Sequence, residues 1–327
     1  MLKTIVFYIQ TLFILIFFSN FADKYLNKTY IAMRIKKTLL GAVAALMLAS
    51  CGTTSTVPIT GRQHTLLYDD GQILSLSKQQ YSEVIQKSTL SKDATKTALV
   101  KRVGEKLAKA VESYLRENGA ANDLQYYEWE FNLVKSDEVN AFCMPGGKIV
   151  VYEGILPVTQ DEAGLAIVLG HEIAHAVAKH SAEQMSKQAR QQQAVQIGGA
   201  LLGMAGASQQ TASIANMASQ IGFNFANLKY SRDNETEADR IGLVFAAMAG
   251  YDPNKALEFW QRMASLSTSN QSEIFSDHPS DAKRIAALQQ VIPEAMRYYK
   301  PATTTTTTAK KKTTTTKKKT TTTKKKK

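Results

Sequence analysis

Cysteine is scarce in this chain. Two in 327 residues, Cys51 and Cys143, cannot supply the disulfide framework of a small secreted scaffold. No internal repeat is visible, which excludes a solenoid or a propeller. Acidic residues are nearly missing from both ends: residues 301–327 hold ten lysines and no acid, and residues 1–50 hold six basic side chains and one acid. Taking these ends away from the formal charge of +12 leaves residues 51–300 at −3. The basic balance belongs to the termini, and the middle offers no basic surface for nucleic acid. What the chain does have is apolar residues, 44% of the total, enough for a sizeable core in one large domain or two modest ones.

The termini read as an address and a tail. Residues 5–18 are apolar but shorter than a membrane span usually needs. A second pattern follows Met33: Arg34, Lys36 and Lys37, then apolar residues 39–48, then Ala49-Ser50-Cys51. A charged start, an apolar stretch and small residues before a cut are the marks of a secretory signal. Leu48-Ala49-Ser50-Cys51 resembles a bacterial lipobox, which makes Cys51 the acylated first residue of the mature protein; the alternative is a plain signal with an incidental cysteine. Met33 is then the expected true start, and 1–50 the signal region. Gly52 follows the cysteine where an aspartate would resemble an inner-membrane retention signal, so the expected address is the periplasmic face of the outer membrane. Residues 301–327, built of Thr and Lys blocks, have no apolar period and are expected to be a disordered spacer.

Residues 51–300 read as one α+β domain, mostly helical with a small sheet. Leu99, Val103, Leu107, Ala110, Val111 and Leu115 recur at helical spacing across 94–117. Tyr127, Trp129, Phe131 and Leu133 alternate with polar residues as in a half-buried strand. Strands are expected at 139–144 and 148–152, with Pro145-Gly146-Gly147 turning between them. A long helix is expected from Asp161, others at 232–249, 253–267 and 280–290. The small-residue stretch within 186–222 fits a helical lid, a membrane-leaning hairpin or closely packed helices.

The chemistry is carried by His171-Glu172-Ile173-Ala174-His175. On a helix, residues four apart share a face, so both imidazoles can reach one ion while Glu172 can touch a water beside it. Gly170, costly inside a helix by about 1 kcal/mol, suggests a close backbone approach next to the site. A catalytic zinc wants a third protein ligand and an open position. Glu235-Thr236-Glu237-Ala238-Asp239 supplies it: Glu235 and Asp239 share a helix face, Glu235 as ligand and Asp239 orienting a ligand histidine. Glu237 then faces elsewhere, as a surface charge or a partner for Arg240. His180 is expected at the far side of the helix end, and Cys143 as a small buried hydrophobe.

These motifs together resemble the HtpX-like and CAAX-prenyl-protease-like zinc endopeptidases of metallopeptidase family 48. Asn140-Ala141-Phe142 followed by Pro145-Gly146-Gly147 is similar to that family's substrate-binding strand and turn. Pro58-Ile59-Thr60-Gly61-Arg62 resembles the start of its soluble members, and His278-Pro279-Ser280 with Arg284 its C-terminal segment. The resemblance spans roughly residues 58–290 and implies a gluzincin-like fold with one zinc on His171, His175 and Glu235. It further implies Glu172 as general base and Asn140, Ala141 and Phe142 as substrate contacts. His278 either steadies the oxyanion or takes the open metal position and holds the enzyme latent, unless it is only a helix-start histidine. Arg284 is an oxyanion or substrate contact, or a charge on the last helix. No transmembrane helix interrupts the domain, so the match is to the single-domain lipoprotein branch. The expected activity is peptide-bond hydrolysis in unfolded or misassembled envelope proteins; the alternative is a chaperone or assembly factor on the same fold.

Overall fold

A computed structural model describes residues 52–201, Ala218, residues 222–267 and residues 282–300. The signal region, Cys51, the Thr/Lys tail, His278-Pro279-Ser280 and most of 198–206 lie outside the described residues.

The chain enters through an antiparallel hairpin, β1 (Thr53–Thr56) and β2 (Gln63–Leu66), closed by the Pro58-to-Arg62 turn. Gly61 takes φ 72° there, which a side chain would resist. Helix α1 (Asp70–Lys87) follows. Asp69 and Gln72 cap it reciprocally: Asp69 accepts the Gln72 N–H, and the Gln72 side chain accepts the Asp69 N–H. Helix α2 (Ala94–Glu117) covers the predicted 94–117 and buries Val100, Val103, Leu107 and Val111.

A three-stranded sheet comes next, in the order β3 (Glu130–Val134), β5 (Lys148–Tyr152), β4 (Ala141–Met144). β3 runs parallel to β5 and β4 antiparallel to it, so β4 is an edge. Two expected strands are shorter at their starts. The first begins at Glu130, because Glu128 and Glu130 donate to the Gly146 and Gly147 carbonyls of the turn before the ladder opens. The second begins at Ala141, one residue past Asn140, whose carbonyl still accepts the Tyr152 N–H at 3.1 Å. β5 is buried on both faces: Ile149 and Val151 join the core with α2, and Val150 joins a second cluster with Leu76 and Tyr81 of α1.

Helix α3 (Glu162–Val177) starts where expected, with Asp161 accepting the Gly164 N–H at 2.7 Å. Every residue from Gly164 to Val177 is buried, so α3 is the central rod. It does not run on. Lys179 adopts φ 55°, and α4 (His180–Leu201) sets off anew. Helix α5 (Arg232–Met248), capped by Ser231, lies across α3. Helices α6 (Lys255–Ser267) and α7 (Ala282–Ala295) close the domain; α7 continues past the expected end through Pro293. Among the described residues, no helix is long and apolar enough to cross a membrane.

The crossing of α3 and α5 is made of backbone. A Cβ on Gly170 would sit 2.8 Å from the Gly242 carbonyl oxygen, and one on Gly242 would sit 2.7 Å from the His171 nitrogen. The close approach suggested by Gly170 is therefore to Gly242, one residue from the first histidine of the motif.

Candidate metal centre and active site

Three side chains converge where α3 meets α5. His171 and His175, one turn apart, bring their Nε2 atoms to 3.1 Å. Glu235, in the first turn of α5, places Oε2 3.3 Å from His171 Nε2 and Oε1 3.4 Å from His175 Nε2. All three residues are buried. Ligands about 2.0–2.1 Å from one tetrahedral zinc stand about 3.3 Å apart, so these separations fit a shared ion. The donor set, two imidazoles and a carboxylate, suits zinc as well. Charge agrees: Glu172, Glu235 and Asp239 are buried together with one buried arginine, Arg284. A divalent cation balances that surplus of acid.

Behind His171 stands Asp239, with Oδ1 3.0 Å from His171 Nδ1. With Nε2 turned to the triad, Nδ1 carries the hydrogen and donates it to the carboxylate. Arg284 grips Asp239 from α7 with two donors, Nε to Oδ2 at 2.6 Å and Nη2 to Oδ1 at 2.8 Å. Its Nη1 lies 2.9 Å from Glu235 Oε2, and its guanidinium sits 3.8 Å from the centre of the Trp260 ring. Arg284 is thus a clamp behind the ligands rather than a free charge on the last helix. Burial and Arg284 press the His171 proton off, but the hydrogen bonds to Asp239 and Glu235 outweigh them and raise its pKa to about 9. Burial pushes His175 well below the ordinary histidine value.

Glu172 lines a cleft whose other walls are residues 140–143 and the segment carrying Phe225, Leu228 and Tyr230. The strand expected to hold substrate is therefore beside the expected base. The Asn140 carbonyl accepts the Tyr152 N–H and Phe142 pairs with Val150, so by alternation the Ala141 and Cys143 backbone groups face away from β5. The Ala141 N–H is already engaged by Asn140 Oδ1. Cys143 is buried in the cleft wall, where burial pushes its thiol well above the ordinary value; it behaves as a small apolar wall residue.

Two expectations are corrected. His180 is not on the far side: it is fully buried, with Nδ1 2.9 Å from His175 Nδ1 and Nε2 2.9 Å from Glu237 Oε2. Glu237 is no surface charge; besides His180 it accepts from Thr60 Oγ1 and from Arg62 Nε at 2.8 Å. Arg240 pairs instead with Glu294. The break at Lys179 turns α4 back under His175, and a reading of one continuous helix misses it. Tyr230, whose ring stacks on His175 with centroids 3.9 Å apart, and Trp260 carry no motif.

The Peptidase family M48 model matches residues 95–292. The mitochondrial metalloendopeptidase OMA1 of Schizosaccharomyces pombe is 39% identical over 179 residues, 54% of this chain and 50% of its own length. The human metalloendopeptidase OMA1 is 32% identical over 248 residues, 73% of this chain and 46% of its own. The beta-barrel assembly-enhancing protease of Escherichia coli is 27% identical over 265 residues, 80% of this chain and 51% of its own. The chain spans about half the length of these relatives.

Proposed function

The chain belongs to peptidase family M48, whose members use zinc, and from that premise we propose that it is a zinc-dependent metalloendopeptidase. We propose further that it is lipid-anchored at Cys51, faces the periplasm from the outer membrane, and hydrolyses peptide bonds in unfolded or misassembled envelope proteins. The observation that carries the activity is the triangle of His171, His175 and Glu235, with Glu172 opening onto a cleft beside an edge strand. The lipobox-like run ending at Cys51 supports the anchor, and the likeness to a beta-barrel assembly-enhancing protease of E. coli supports an envelope client.

His171, His175 and Glu235 would hold the zinc, which when bound acidifies water and polarises the scissile carbonyl. Glu172 takes the proton of the attacking water and returns it to the leaving amine. An extended client pairs with the outward backbone groups of Ala141 and Cys143, and Asn140 must release the Ala141 N–H for that pairing. Recognition through backbone reads extension more than sequence, which suits unfolded chains.

Casein degradation by the purified chain, with and without a zinc chelator and beside Glu172→Gln, tests the activity. Chelator-sensitive cleavage that Glu172→Gln abolishes with zinc retained is expected; cleavage unaffected by either sinks the reading. Membrane fractionation of Cys51→Ala, which should release the protein from the membrane fraction, tests the anchor. A second reading, assembly factor first and protease second, draws on the word "assembly-enhancing" in the E. coli relative's name. It requires Glu172→Gln to rescue an envelope defect as the unaltered chain does.

A further inference from the structure

We propose that His175 is held in register for the metal by a hydrogen-bonded relay through His180 and Glu237, whose far end is gripped by Thr60 and Arg62, so that the N-terminal hairpin is a working part of the metal centre. The inference rests on the zinc reading above and assigns residues it leaves unused. Thr60 and Arg62 also precede the segment matched to the family.

Proton positions along the relay follow from one requirement. For His175 to offer Nε2 to a cation shared with His171 and Glu235, its hydrogen must sit on Nδ1. The acceptor is His180 Nδ1, at 2.9 Å. His180 must then carry its own hydrogen on Nε2, which donates to Glu237 Oε2 at 2.9 Å. Each ring nitrogen has one role, and the chain of bonds ends on a carboxylate, the partner that makes an imidazole a better ligand and fixes its orientation. The intervening imidazole passes this polarisation on.

Stacking alone would not suffice. Tyr230 lies 3.9 Å from the His175 ring at 22°, which sets the plane of the ring but accepts equally well the ring flipped by a half-turn about Cβ–Cγ. The bond to His180 removes this freedom. Glu237 is fixed in turn from outside the matched domain: Thr60 Oγ1 donates to Oε1 and Arg62 Nε to Oε2. The Arg62 guanidinium also donates from Nη1 and Nη2 to Glu183 of α4 at 3.0 and 2.8 Å. One arginine thereby ties the hairpin to both α4, which carries His180, and α5, which carries Glu237.

The test is the zinc dissociation constant of the full chain, measured by competition with a chromogenic chelator, together with the visible spectrum of the cobalt-substituted protein. His180→Phe, which fills the space without the relay, should raise the constant about 10–100-fold, the range seen when such outer partners are lost. Arg62→Gln should raise it by up to about tenfold and shift the cobalt bands, and Arg62→Lys should recover part of the loss. Arg62 is about one-third exposed at 35%, so its variants test the claim even where His180→Phe does not fold. Zinc constants within twofold of the unaltered chain and unshifted cobalt bands in the Arg62 variants overturn the relay, even if their melting temperatures fall. Failure of the unaltered chain to bind zinc overturns the relay and the metallopeptidase reading together.

Discussion

His171 leans on Asp239 and Arg284, one step away and wholly inside the helical domain; His175 leans on His180 and, beyond it, on a hairpin tied down by a partly exposed arginine. The first arm is short and dry. Asp239, Arg284 and Trp260 are all buried, and the guanidinium makes two donor contacts to one carboxylate. The second arm takes two imidazole-to-partner steps, and its anchoring arginine reaches solvent. Two ligands of similar geometry are thus steadied by different physics. One depends on a buried ion pair whose members cannot be removed singly without stranding a charge. The other depends on a network whose outer end feels pH and salt.

The largest effect lies outside both arms and sets the scale for them. Glu172→Gln should lower turnover by about 10²–10⁴-fold with zinc content unchanged, read by peptide hydrolysis and metal analysis on the same sample. Next comes the His171 arm. Arg284→Met leaves Asp239 buried without its cation and should cost about 3–5 kcal/mol, measured by denaturant unfolding of the metal-free chain. A cost as small as that of an exposed pair would make the two arms alike. Gly242→Ala forces the α3–α5 crossing apart and should cost about 1–3 kcal/mol while weakening zinc binding, since Glu235 and His171 sit on opposite sides of that contact.

The His175 arm should show itself in acid. Hydrogen bonds from His64 and Arg62 hold Glu183 down to about 2 against an ordinary 4.5. Burial would raise Glu237, but His180, Arg62 and Thr60 overcome it and hold it to about 2 as well. A carboxylate depressed in the folded state stabilises fully above its unfolded value and loses that contribution as pH falls toward the folded one. Stability of the metal-free chain should therefore decline between about pH 4.5 and 2, and Arg62→Gln should flatten that limb; an identical limb in the variant would detach Arg62 from these acids. The smallest effect is the control. Arg240→Ala removes a partly exposed pair with Glu294 and should cost under about 1 kcal/mol by the same unfolding measurement.

The same division separates what the sequence makes legible from what it hides. His171, His175, Glu235 and Asp239 are each fixed by spacing of four on a single helix, and α3 and α5 are helices where periodicity and caps place them. Local rules reach that far. His180 fails because the chain leaves the helix at Lys179, φ 55°, without a glycine or proline to announce it. Glu237 fails because its partner Arg62 lies 175 positions away, in a hairpin that no local pattern ties to α5. Helix α1 is a different omission: its Asp69 to Gln72 capping box is written in the sequence, and its apolar stripe of Ile73, Leu76 and Tyr81 is merely thin. The edge strand is legible in position but not in length: 139–144 is the expected span, and the regular ladder opens only at Ala141.

That side chain has a further consequence. A strand edge offered to foreign polypeptide is equally open to another copy of the same molecule, the usual seed of sheet-to-sheet aggregation. β4 is four residues long, and its first outward N–H is occupied from within, so a second copy meeting it gains few bonds. Asn140 acts as a sticky end kept folded over, and only a guest already lying in the cleft is placed to displace it.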